Sequence, residues 1–305
     1  MNSFQLIKAL LVCAVLFAGS CSGSTVIALK STIILVGSTP ADPEIRAPLS
    51  IDADKAIDFI RWELVMEQPD RYYAKLNFGE GEPNTRGFKG GGETRVLRGT
   101  YAITKDPKGD IYRFTDENSR GMISLVKLNE NVFHFLNSDG KLMIGTGGWG
   151  YSLARKAKTT SKSELVSRST SLLDGGESET VFDGRTPCVD LGRADLPFTD
   201  GCLKLKWRIT LRRDPRTNRP ASYMIESTLN RRQSVEGKWT LVNGTHANPR
   251  ALILQLDPDI ADKTISFLVG DENVIFFLNK EEQPLAGNED FGFALSRRLQ
   301  KVGKE

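Results

Sequence analysis

Four cysteines, two histidines and one dense run of cations are the residues of this 305-residue chain with the most chemistry to offer. Cys188 and Cys202 bracket the stretch PCVDLGRADLPFTDGC. Two thiols so placed serve one of two purposes: a disulfide in an oxidising compartment, or a pair of thiolates on a soft metal ion. His134 lies in ENVFHFLN and His246 in the loop sequence NGTHANP. No GxSxG occurs, and neighbouring acids such as Glu289 and Asp290 define no geometry in sequence alone, so the chain is not expected to be an enzyme. GFKGGGET (residues 87–94) lacks the Gly-Lys-Ser/Thr ending of a phosphate loop and reads as a loop between strands. DPDIAD (residues 257–262) lacks the glycine and closing glutamate of a calcium loop and reads as an acidic turn. Lys204, Lys206, Arg208, Arg212, Arg213, Arg216 and Arg219 suit either anionic lipid headgroups and envelope polymers or a charged strand edge that discourages aggregation.

Which chemistry the cysteines serve depends on compartment, and the N-terminus addresses that. MNSFQLIK carries one lysine and no acid, and ALLVCAVLF is an unbroken apolar run of signal-peptide length, too short to cross a bilayer as an anchor. Ala18-Gly-Ser-Cys21 resembles the lipobox of bacterial lipoproteins, with Ala18 where leucine is usual. That resemblance implies cleavage before Cys21 and acylation of its thiol, which anchors the chain to a membrane. Ala18 and Ser20 also satisfy ordinary signal peptidase, which would leave a soluble secreted protein. Either way the chain is exported, so nucleic acid is not an expected partner. Cys13 then leaves with the signal, and Cys188 and Cys202 are best read as a disulfide, whose loop closure is worth about 3 kcal/mol. Thiolates on a metal remain the competing reading.

The elements that must position these residues are strands. In Leu203-Lys-Leu-Lys-Trp-Arg-Ile-Thr-Leu211 every odd position is apolar and every even one polar, the mark of a strand with one face in a core. FIRWELVM (residues 59–66) repeats the device, and Tyr72–Phe78 and Ser222–Leu229 read as return strands. ENVFHFLN (residues 130–137) recurs as ENVIFFLN (residues 272–279), and the match extends without a gap from Ile123–Arg155 to Ile265–Arg297. Trp149 stands over Phe291, Tyr151 over Phe293 and His134 over Phe276, while Trp62 answers Trp207 further upstream. The chain is therefore a tandem repeat of units of domain size. The octet is apolar on both faces, so it is expected to be covered from two sides.

Short strands at roughly ten-residue spacing indicate an all-β fold of two tandem small antiparallel β-barrels after a signal peptide. The expected boundaries are a signal peptide at 1–20, a tether at 21–54, a first barrel at 55–155, a linker at 156–180, a second barrel at 181–298 and a tail at 299–305. STIILVG inside the tether could add an edge strand, and a helical turn is expected around Glu164–Leu173. In barrels this small, side chains such as Trp62, Trp207 and Trp239 are expected to fill the interior.

The lipobox-like start, FDGRTPC (residues 182–188), the WRITL strand, ENVIFFLN and the terminal GFALSRR together resemble the NlpE-type copper-resistance lipoproteins. Each copy looks like that family's N-terminal domain, a lipocalin-like barrel. The resemblance implies an outer-membrane, lipid-anchored protein with a role in copper tolerance or envelope stress, acting with an envelope protein partner. It also implies copper on a C-x-x-C pair, but here Cys188 is followed by Leu191 three residues on, and the next cysteine is Cys202. The alternative reading is a lipocalin-like protein holding an apolar or amphipathic ligand inside a barrel.

Overall fold

The computed structural model describes residues 32–188, 202–228 and 234–299. Eight strands close the first barrel: β1 (Thr32–Pro40), β2 (Phe59–Glu67), β3 (Arg71–Gly79), β4 (Glu93–Thr104), β5 (Ile111–Asp116), β6 (Met122–Lys127), β7 (Val132–Leu136) and β8 (Ser152–Arg155). Eight more close the second: β9 (Glu179–Thr186), β10 (Leu205–Arg213), β11 (Pro220–Ser227), β12 (Val235–Asn243), β13 (Leu252–Leu256), β14 (Ile265–Val269), β15 (Val274–Phe277) and β16 (Ala294–Arg297). All pairings between these strands are antiparallel and each barrel is an up-and-down meander, so the two tandem β-barrels expected from the repeat are present. A one-turn helix, α1 (Pro43–Arg46), follows β1.

Period-two alternation puts one tryptophan at the same place in each interior. Trp62 on β2 and Trp207 on β10 are buried, and their indole N–H groups donate to Thr39 and Thr186, both at 2.9 Å. Around them, packing such as Trp62 on Phe135 and Trp207 on Phe277 fills each barrel with side chains. Trp239 joins the second core and donates to the Arg212 carbonyl at 2.8 Å.

Each barrel closes where its first strand meets its last. Leu35 and Val36 pair with Arg155 and Ala154, and Phe182 and Asp183 pair with Arg297 and Ser296. The segment read as a tether thus supplies β1, which pairs along its whole length with β2 and is no edge strand. The apolar run TIILV satisfies its backbone only with a neighbour on each side. The first barrel therefore starts at Thr32, not at residue 55. Gly37 and Gly184 occupy the crossing itself. A Cβ at Gly37 would fall 2.8 Å from the Ser152 carbonyl oxygen, and one at Gly184 would fall 2.5 Å from Leu295 Cδ2.

The outer faces of β5–β8 and β13–β16 pack against each other. Ile111, Val126, Val132 and Leu136 of one barrel and their repeat counterparts Ile253, Leu268, Val274 and Leu278 share one buried cluster. This is why the repeated octet is apolar on both faces: β7 and β15 are buried throughout. Contacts across the seam are reciprocal. A Cβ on Gly150 would lie 3.7 Å from Ala294 Cβ, and one on Gly292 would lie 3.1 Å from Ser152 Cβ. His134 meets its own counterpart Phe276 edge-on at 5.2 Å. Such reciprocity is that of a two-fold interface, here between halves of one chain.

The polar segment 156–180 is bound along this seam. Leu165 is fully buried in the shared cluster and its N–H donates to Asn248 Oδ1 at 2.9 Å. Val166 bridges to Arg250, and the helical turn forms at Ser171–Asp174, the C-terminal end of the expected stretch.

Candidate functional site

Cys188 and Cys202 form a disulfide, with Cα atoms 6.0 Å apart and the sulfurs packed against the second core. Bonded to one another, they offer no thiolate. Among the described residues no group of three or more His, Cys, Asp or Glu side chains is placed to hold a metal ion. In this bonded state the pair offers copper no ligand. Cys21 lies outside the described residues.

The remaining sequence candidates resolve into structural roles. His134 is fully buried: its Nε2–H must donate to the Met143 carbonyl (2.9 Å), which leaves Nδ1 to accept from Ser152 Oγ (2.9 Å). Burial pushes its pKa down to about 4. His246 is exposed in its loop. GFKGGGET forms a short 3-10 turn leading into β4. DPDIAD is a turn in which Asp257 accepts from the Tyr223 hydroxyl at 2.5 Å.

The basic stretch divides. Arg212 pairs with Glu179, and Arg213 is buried, donating to the Leu172 carbonyl and lying 5.1 Å over the Trp239 ring. Arg208 grips Asp183 with two hydrogen bonds of 2.9 and 3.0 Å and stands opposite Glu226 on the neighbouring strand. Lys204 and Lys206 have no carboxylate partner among the described residues, and neither has Arg185 on β9. These three line one groove of about 1040 Å³, with Gly147 and Gly148 of the first barrel's β7–β8 loop as its far wall and Cys202 and Leu203 at its end.

Aromatic faces hold two of these cations. Arg185 lies 5.4 Å over Trp149, which stacks on Phe59 at 4.7 Å, and Phe59 stacks on Phe88 at 4.2 Å. Lys204 lies 5.8 Å over Phe291. Trp149 and Phe291, aligned in the repeat, thus bear the same kind of load. Burial lowers the pKa of Arg185. Burial also lowers that of Lys204, to which the positive charges of Arg185 and Lys206 add. The arrangement is a cationic recess with an apolar end, whose lining also includes the carboxylates of Asp183 and Glu226.

Comparison with known proteins adds no identity. No family model matches the chain, and no match comes from curated proteins or from solved structures.

The sequence reading missed Arg185 and Trp149 because they join the site only through the barrel seam. A signal for the first was present: Gly37-Ser-Thr-Pro40 answers Gly184-Arg-Thr-Pro187, which aligns β1 with β9 and sets Ser38 against Arg185.

Proposed function

We propose that this chain is a non-enzymatic binding protein of the bacterial envelope, tethered through a lipid on Cys21 and acting in surface-stress response as NlpE-type lipoproteins do. The observation that supports a binding role on the outside is the placement of space. Both barrel interiors are packed, whereas the 1040 Å³ groove lies between the barrels beside the disulfide. A lipocalin-like ligand inside a barrel finds little room among Trp62, Phe114 and Phe135, or among Trp207, Phe267 and Phe277. The apolar end of the recess and its unpaired cations suit an external partner with both characters.

The test is metabolic labelling with a fatty acid, followed by fractionation of wild type and Cys21→Ala. The reading expects a labelled, membrane-bound wild type and an unlabelled variant released from the membrane. Unlabelled wild type in the soluble fraction would overturn the anchor. For copper, a Cu(I) competition titration should show no binding with Cys188–Cys202 oxidised. Tight binding only after reduction, lost in Cys188→Ser, would make the pair a redox-gated copper site.

A further inference from the structure

The cationic groove has a counterpart across the pseudo-two-fold, and the counterpart already holds an anion. Ser38 faces Arg61 on paired strands β1 and β2, and Arg185 faces Lys206 in the same way on β9 and β10. The loop that the opposite barrel lays over each pair reads Asn288-Glu289-Asp290 over the first and Thr146-Gly147-Gly148 over the second, which aligns Asp290 with Gly148. Asp290 is buried and accepts from Arg61 at 2.6 Å, while Arg86 Nη1 stands 3.2 Å from its other oxygen without hydrogen-bond alignment. On the second side, Gly148 stands at the aligned position, and Arg185 stands where the first side has Ser38. Arg185 and Lys206 therefore face each other with like charge, an arrangement that costs stability in a bare sheet. Asp183 and Glu226 also line the groove; Asp183 is bonded to Arg208, and neither carboxylate forms an ion pair with Arg185 or Lys206 among the described residues.

We propose that this groove binds the phosphate head of an anionic amphiphile. The phosphate takes the place that Asp290 fills in the other half, on Arg185, Lys204 and Lys206. The amphiphile's apolar part lies along Leu203, half exposed, and Cys202. A volume of about 1040 Å³ stands at the upper end of small-molecule sites, far more than free phosphate occupies. Phosphate on guanidinium and ammonium groups held over aromatic faces gains charge-assisted hydrogen bonds in a partly desolvated place. This inference names a ligand class for the envelope-binding role proposed above and rests on it.

The test titrates the purified full-length protein with dihexanoyl phosphatidylglycerol, dihexanoyl phosphatidylcholine and inorganic phosphate, each followed by calorimetry. Two variants accompany it. Gly148→Asp supplies the missing carboxylate: a Cβ there meets Thr146 Oγ1 at 3.4 Å and Arg185 Nη1 at 3.8 Å, both ordinary contacts. Arg185→Ser restores the first barrel's residue and is read even if the other variant misfolds. The expected result is binding of the phosphatidylglycerol, weakened about tenfold or more in either variant and by added salt. Phosphatidylcholine and inorganic phosphate should bind weakly by comparison. No binding of the phosphatidylglycerol, or equal affinity for the two lipids, would overturn the proposal. So would unchanged affinity in the folded variants. Inorganic phosphate binding as tightly as the lipid would make the ligand a soluble phosphate and remove the amphiphile. The Cys21→Ala fractionation reads the envelope anchor independently, so either claim can fail alone.

Discussion

His134 shows how much a single position can depend on what lies across a seam. In its own strand it is one residue of ENVFHFLN, and the repeat sets a phenylalanine in its place. That alignment marks it as a packing residue but not as a fully buried one, because the covering atoms belong to the other barrel. Its depressed pKa carries a sign. The unfolded chain takes up a proton near pH 6.5, the folded chain only near pH 4, so stability is complete above about pH 6.5 and drains away as pH falls to about 4. The loss across that window is about 3 kcal/mol. Asp271, whose buried carboxyl has a raised pKa, titrates with the opposite sign, so the wild-type curve alone does not isolate the histidine. The difference from His134→Phe does. Denaturant unfolding from pH 7 to pH 4 should show the variant weaker by about 1 kcal/mol or more at neutral pH, since Ser152 and Met143 lose a partner. Its decline towards acid should be shallower than that of wild type. Parallel curves would show that His134 is not the titrating group.

Among elements, the strands with clean alternation were legible: β2, β3, β10 and β11 fall within about two residues of their expected places. A half-buried strand declares its period whatever it packs against. β1 was harder to place, since an apolar run with Gly-Ser-Thr-Pro behind it has no polar face to count. The GxTP repeat was the available clue, and the closing glycine explains it. Gly37→Ala should cost about 1–3 kcal/mol, as the added methyl meets the Ser152 carbonyl at 2.8 Å and the β1–β8 seam must shift. Thermal unfolding measures this, and a melting temperature equal to wild type would mean the seam is soft. The linker's polar composition hid its role in the same way. Buried side chains such as Leu165, Ser167 and Leu172 and backbone bonds to Asn248, Arg250 and Gly270 hold it down, and composition does not register partners that lie far off in the chain.

At the level of the molecule, two barrels share one core at their junction, which makes them a cooperative pair. Ile253 lies in the middle of the shared cluster, almost wholly buried. Ile253→Asp places a charge there without a partner and should destabilise the protein by about 3 kcal/mol or more. Calorimetry should show one transition in wild type, and in the variant either two separate transitions or one at markedly lower temperature. An unchanged single transition would show that the barrels do not depend on this face. The candidate site belongs to the same scale. Of its cations, Arg185 lies on β9, Lys206 on β10 and Lys204 just before β10, while Thr146, Gly147 and Gly148 come from a loop of the other barrel.

By itself the sequence determined the all-β class, the duplication, the tryptophans at the heart of each barrel and which two cysteines are available to pair. Each of these is written in local periodicity, in similarity between two segments, or in the count of thiols. Only the tertiary structure decided that the apolar outer faces meet each other, that the linker is bound between them, and that one of two related clefts has no carboxylate at the place of Asp290. Those outcomes depend on which surface meets which across a pseudo-two-fold. The free energy of such a contact comes from pairs of residues far apart in the chain, and no single segment records it.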